Sequence, residues 1–361
     1  MTVNFAALRA HLDATDMLGR VLGFPAQMEA AWKIGADFAP AAEKLRSMKF
    51  ERVVVCGMGG SAIGGDLARS FLGERAGVPI MSCRDYALPA QVARGALVIV
   101  SSYSGNTGET LAAYDAARGG AAAMVAVTSG GELAQRCVRD RVPCCAIPGG
   151  MPPRSAIGFS LLPMLQILRA AGVASFDDHE YREALDAARE RCDTYSPTRA
   201  GNGAIELAQD LHGRTAFIYS APGLLEGVAR RWACQINENA KTLAHFASFP
   251  ELNHNEIVGW EVGEHIMSKA VIVSLEDRDD HPMTRRHAAI GLSLMAPYAA
   301  KVERLETPSG GRLARMLSVM LLGDFASVYL AYLNDVDPTP VKKIDALKKA
   351  LAAPEAPEDK E

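Results

Sequence analysis

Aromatic residues are scarce, 6% of the 361 positions, and no uncharged stretch approaches the 18 or so residues that span a bilayer. Cysteine is present seven times, an odd number, without a Cys-x-x-Cys pair and without zinc-type Cys/His spacing. That pattern argues against a disulfide framework and against a structural or redox metal. It predicts a reduced, cytoplasmic protein that needs no metal and no cofactor. Positive charge is not in excess either: 38 Lys+Arg against 42 Asp+Glu leaves a net charge of −4. No general field exists to gather nucleic acid or an anionic membrane, so neither is expected as a partner. There is no Gly-Lys pair, which excludes a nucleotide P-loop. What the chain does have is 49% hydrophobic residues and 32 glycines. The length predicts about two domains with a sizeable core, and the glycines mark where backbone must approach something closely.

In the first half, β-type apolar runs alternate with helical patterns, the mark of βαβ units and a parallel sheet. Glu51–Cys56, Ala96–Ser101, Ala122–Thr128 and Val142–Ile147 read as strands. The last leads through a Pro-rich turn, Pro148–Pro153, into an apolar helix from about Arg154 to Ala171. Residues Ser175–Asn202 turn polar and charged, and a domain boundary is expected there. Thr215–Ser220, Ala270–Leu275 and Lys301–Leu305 read as strands of a second α/β unit. The expected division is 1–190 and 200–351, each an α/β domain with a doubly wound parallel sheet. A Pro- and acid-rich tail, 352–361, is expected to be frayed.

Two loops at strand ends attract attention. Gly57-Met58-Gly59-Gly60-Ser61 lies between a strand and a helix, where small residues let N–H groups and the helix dipole face an anion. The same residues with Ala62 fit G-x-G-x-x-A, so a dinucleotide reading stands beside the phosphate reading. Its usual acidic companion is poorly placed: Asp66 falls inside the helix and Asp85 lies nearly 30 residues on. Ser101-Ser102-Tyr103-Ser104-Gly105-Asn106-Thr107 decides more, because hydroxyl donors grouped at one strand end suit a phosphate monoester. Loops at the carboxyl ends of neighbouring parallel strands converge, so Ser61 and the loop 102–107 can address one phosphate. The plainer alternative is that these hydroxyls cap the helix starting near Thr107.

The string Gly-Met-Gly-Gly-Ser followed by Ser-Tyr-Ser-Gly-Asn-Thr-x-Glu-Thr resembles the sugar isomerase (SIS) domain that binds phosphosugars. Further strings, in order, resemble the bifunctional phosphoglucose/phosphomannose isomerase family: Pro153-Arg154, Asn237-Glu238-Asn239-Ala240-Lys241, Pro250-Glu251, Asn253-His254-Asn255 and Ile344-Asp345-Ala346-Leu347-Lys348. The resemblance spans about residues 50 to 350 and implies two SIS domains. It also implies an aldose–ketose isomerase that interconverts glucose 6-phosphate, and mannose 6-phosphate, with fructose 6-phosphate through a cis-enediol. A non-catalytic sugar-phosphate-binding protein is the alternative from another class, and a nicotinamide-dependent dehydrogenase built on Gly57–Ala62 is a second.

The resemblance implies phosphate binding by Gly59, Gly60, Ser61, Ser102, Ser104 and Thr107. Glu238 matches the family's base, which takes the C2 proton and returns it to C1; the plain reading is an ion pair with Lys241 on a helix surface. His254 matches the ring-opening histidine, since an imidazole can pass a proton to the ring oxygen at neutral pH. In the family it comes from the neighbouring subunit, so a homodimer is implied. Arg154 would present N–H donors to the enediolate oxygen. Lys348 matches the lysine that assists ring opening, and Thr339 the threonine that borders the space around C2. Glucose and mannose 6-phosphate differ only at C2, so one base can serve both once that carbon is deprotonated.

Overall fold

The computed structural model describes residues 4–353. Three helices, α1 (Phe5–Leu12), α2 (Met17–Leu22) and α3 (Phe24–Glu43), precede the first sheet. Then come β1 (Arg52–Cys56), α4 (Gly59–Leu72), β2 (Ile80–Cys83), α5 (Ala90–Ala93), β3 (Ala96–Ser102) and α6 (Gly108–Arg118). β4 (Ala123–Thr128), α7 (Gly131–Asp140) and β5 (Cys144–Ala146) complete that sheet, whose strands are all parallel in the order β2-β1-β3-β4-β5. Helices α8 (Ile157–Ala170), α9 (Asp178–Thr194) and α10 (Gly203–Leu211) lead to the second sheet. It contains β6 (Thr215–Ser220), β7 (Ala244–Ser248), β8 (Ala270–Glu276) and β9 (Lys301–Glu306), parallel in the order β7-β6-β8-β9. Between and after these strands run α11 (Glu226–Ala240), α12 (Glu264–Met267), α13 (Pro282–Met295), α14 (Arg312–Leu333) and α15 (Lys342–Ala352).

Alternation along the strands explains the layering. Val53 and Val55 point into one apolar cluster while Val54 and Cys56 point into another, and Leu97/Ile99 against Val98/Val100 repeat the split. Period-2 side chains that are apolar on both faces require helices on both sides of the sheet. The larger cluster continues into Ile218, Val271 and Val273, so one face of each sheet shares a common core. Its centre is α14, long and apolar enough to cross a membrane, but with 89% of its most apolar window buried inside the protein.

The sequence expectation misses β2 and β7. Both are short edge strands, and β2 is buried only at Ile80, so neither forms an apolar run. The stretch 175–202 has more structure than its polarity implies. Asp177 caps α9, accepting the N–H of Glu180 at 3.0 Å, and Tyr181, Ala184, Leu185, Ala188 and Cys192 form a buried stripe that joins the shared core. The helix expected from Arg154 begins later: Pro153–Ser155 is a 3-10 turn and α8 starts at Ile157. The N–H groups of Ser155 and Ala156 bond three residues back, to the carbonyls of Pro152 at 2.9 Å and Pro153 at 3.2 Å, which winds this turn more tightly than an α-helix. Of the tail expected at 352–361, residues 354–361 lie outside the described residues.

Candidate functional site

In the first sheet the strand order reverses between β1 and β3, so the loops after these two strands flank the crevice where open α/β sheets bind ligands. Both glycine- and hydroxyl-rich loops are there. Gly60 is obligatory on steric grounds, since a Cβ on it would lie 2.8 Å from the Pro153 carbonyl oxygen. Gly105 has φ +70°, and a Cβ would sit 1.8 Å from the Gly130 carbonyl oxygen. Ser61 is buried and its Oγ accepts the Tyr103 N–H at 3.0 Å, stitching the two loops together. Ser102 Oγ accepts the Gly105 N–H at 3.1 Å and donates to Thr107 Oγ1 at 3.2 Å. Ser104 Oγ accepts the Asn106 N–H at 3.2 Å.

The capping alternative fails at this point. Thr107 is the N-cap residue of α6, yet its side chain makes no capping hydrogen bond, and Met58 at the start of α4 makes none. α4 and α6 therefore start without a side-chain cap, as α7, α8, α11 and α14 also do, and what sets this pair apart is that both open onto the crevice beside the loop hydroxyls. An anion held between them meets N–H dipoles and hydroxyls without a lysine.

Arg154 links this crevice to the second half of the chain. Its main chain lies against Gly60, and its guanidinium, 5% exposed, reaches the end of α11. Nε donates to Asn239 Oδ1 at 2.6 Å, Nη1 to Glu238 Oε2 at 3.3 Å, and Nη2 to the carbonyls of Pro338 at 2.8 Å and Thr339 at 2.9 Å. Among the described residues, four of its five N–H bonds have an acceptor and one, on Nη1, has none. Burial pushes the guanidinium down from its ordinary value, and Glu238 opposes that shift. Behind it, Arg231 donates to the Arg154 carbonyl at 2.9 Å and forms a buried bidentate pair with Asp324 at 3.0 and 2.8 Å.

Glu238 is on the last turn of α11 with its side chain 29% exposed, at the edge of a cavity of about 750 Å³ that Lys241, Asp337 and Lys342 also line. The loop hydroxyls do not line that cavity; Arg154 stands between the two. The expected Glu238–Lys241 ion pair does not form. Lys241 has φ +56° and its Nζ donates instead to the Glu238 carbonyl at 2.5 Å and to the Pro338 carbonyl at 3.0 Å. Thr339 is drawn into the same group, donating its N–H to Asp337 Oδ1 at 2.8 Å and accepting from Thr15 Oγ1 at 2.6 Å.

His254 and Lys348 are not bonded into this group. His254 is exposed on the 3-10 turn Glu251–His254 after β7, its ring centroid 6.5 Å from that of His287. Lys348 is on α15, where residues 342–351 are all exposed. Among the described residues, no hydrogen bond joins either side chain to Arg154, Glu238 or Thr339. Sequence reasoning passed over Asn239, Lys241, Arg231 and Asp324 as parts of this group. Asp324 had a signal, as the one acid in the apolar helix α14; the conformation of Lys241 had none.

Comparison with known proteins identifies the family and the fold. Residues 200–351 match the model of the bacterial phospho-glucose isomerase C-terminal SIS domain. The chain is 39% identical over 338 residues to the bifunctional phosphoglucose/phosphomannose isomerase of Caldicellulosiruptor bescii, covering 93% of this chain and 99% of that one. It is 34% identical over 333 residues to the protein of the same name from Aquifex aeolicus, covering 92% and 97%. Tagatose-6-phosphate ketose/aldose isomerase from Escherichia coli superposes with a TM-score of 0.66 at 18% identity, over 91% of this chain and 96% of that one, which supports the fold alone.

Proposed function

The chain belongs to the bifunctional phosphoglucose/phosphomannose isomerase family, and from that premise we propose how its residues divide the work. It is an aldose–ketose isomerase acting on glucose 6-phosphate and mannose 6-phosphate, with fructose 6-phosphate as the common ketose. Ser61, Ser102, Ser104 and Thr107, with the N–H groups of Gly59 and Gly60, hold the phosphate; the open starts of α4 and α6 support this. Glu238 moves the proton between C2 and C1. Arg154 orients that carboxylate and offers its remaining N–H to the enediolate oxygen as charge develops. Thr339 borders the space around C2. In this scheme the first part of the chain, 1–190, grips the phosphate, and the second, 200–351, brings the base.

His254 and Lys348 open the sugar ring, with His254 supplied by the second subunit of a homodimer. Both side chains are exposed in the single chain, and the start of the helix bearing Lys348 lines the cavity beside Glu238, which supports that reading. The seven cysteines are all free, which suits a cytoplasmic, reducing compartment.

The observation that carries the proposal is Arg154, packed against the phosphate loop at Gly60 and bonded to Glu238 at 3.3 Å. A coupled assay on both aldose phosphates tests it. Glu238→Gln should lower kcat by about 10² to 10⁴ on both substrates with little change in KM. A variant that keeps its rate on both would remove Glu238 from the chemistry.

A further inference from the structure

Lys241 has no part in the scheme above; like Arg141 at the end of α7 it closes its helix with positive φ, but it does so beside Glu238 and the 337–339 turn. It closes α11 in the left-handed region, φ +56° and ψ 27°, where a Cβ crowds the neighbouring carbonyl and glycine is the usual occupant. A lysine here forgoes the stability a glycine cap would give, which draws attention to the side chain. Because the chain turns at this residue, Nζ folds back beneath the helix end. It donates to the Glu238 carbonyl and to the Pro338 carbonyl, at 2.5 and 3.0 Å. The same Pro338 oxygen accepts Arg154 Nη2 at 2.8 Å. One carbonyl thus joins the end of the base helix, the buried arginine and the turn bearing Thr339. Desolvation of the ammonium, with Arg154 beside it, pushes Lys241 down to about 8, while Asp337 and Glu238 oppose the shift.

We propose that Lys241 is a positioning residue that sets the balance between the two C2 epimers, by bracing the Pro338 carbonyl against the end of α11 and so fixing how far Thr339 stands from Glu238. The proposal rests on the reading of Thr339 given above. Without Lys241, Arg154 alone holds the 338–339 carbonyls, and the turn gains freedom where the C2 hydroxyl must fit. The Glu238 carboxylate keeps its bond to Arg154 and the phosphate loops keep theirs, while the Glu238 carbonyl loses the ammonium.

Lys241→Gly is the informative variant, because glycine suits the backbone and only the side chain is lost. The thermal midpoint should equal or exceed that of the parent. The ratio of kcat/KM on mannose 6-phosphate to that on glucose 6-phosphate should shift by about threefold or more. Should the glycine protein not fold, Lys241→Asn serves, since asparagine also tolerates this conformation. A folded variant with the parent ratio overturns the proposal. Thr339→Ala separates the two readings: if it leaves the ratio unchanged, the placement of Thr339 at C2 fails and the proposal, which acts through Thr339, fails with it; if it shifts the ratio while the folded Lys241 variant keeps the parent value, only the role of Lys241 is overturned.

Discussion

At the residue scale, Ser61, Ser102, Ser104 and Thr107 put four neutral hydroxyls beside the ends of the adjacent strands β1 and β3. Clustered serines and threonines between a strand and a helix pointed to phosphate from the sequence, because few other ligands call for several neutral donors at one strand end. That Arg154 has a single N–H to spare could not be read, since its acceptors come from residues 84 to 185 positions away. Nor could the fate of Lys241: i,i+3 spacing places it beside the Glu238 carboxylate only if the helix continues, and it ends there. The hydroxyls differ in what else they hold, and this gives a prediction. Ser102 Oγ bonds both Gly105 and Thr107, whereas Ser104 Oγ bonds only the N–H of Asn106, two residues on. Ser104→Ala should therefore raise KM by roughly 10- to 150-fold, the equivalent of one hydrogen bond to a charged group, with kcat nearly unchanged. Steady-state kinetics on glucose 6-phosphate, with inorganic phosphate as a competing inhibitor, measures this; a fall in kcat alone would place Ser104 away from the phosphate.

At the element scale, what could be read from sequence followed burial. Strands buried on both faces, β1, β3 and β8, announce themselves as unbroken apolar runs, while the edge strands β2 and β7 do not. The stripe on α9 was hidden because its buried residues are mostly small, with alanines at 184 and 188, among charged neighbours that mask the period. α14 poses the sharpest question of this kind, an apolar helix with Asp324 at its middle. The acid is buried with Arg231 on α11, and Arg231 also holds the Arg154 carbonyl. Removing one partner of a buried pair leaves an uncompensated charge, so Arg231→Met should destabilise the fold by about 3 to 5 kcal/mol. The double change Arg231→Met with Asp324→Leu removes both charges and should recover most of that loss. Activity should not follow, because the Arg154 carbonyl still lacks its donor. Denaturant unfolding and kcat, measured on the single and double variants, separate the two effects; equal recovery of both would make the pair purely structural.

At the scale of the whole molecule, length and strand pattern announced two α/β units but not that they share a core, which depends on α9, α11 and α14 meeting. Within this single packed body the chain gathers the phosphate loops, Arg154, Glu238 and Thr339, and leaves His254 exposed. α15 is exposed too, with Ile344, Leu347 and Leu351 at 40%, 59% and 70% exposure along one side of a helix that also bears Lys348. The proposed homodimer, in which a second copy supplies the histidine, has a stoichiometric signature. Glu238→Gln and His254→Ala homodimers should each be nearly inactive. After subunit exchange, one site of every mixed dimer carries both substitutions, lacking the base and the histidine together. The other combines an intact Glu238 from one chain with an intact His254 from its partner. Random exchange makes half of the dimers mixed, with one working site of two, so about a quarter of parental activity should return. If His254 served its own chain, every site in the mixture would lack one group and mixing would restore nothing. Recovery on mixing, read against each variant incubated alone, therefore decides whether the histidine crosses the interface.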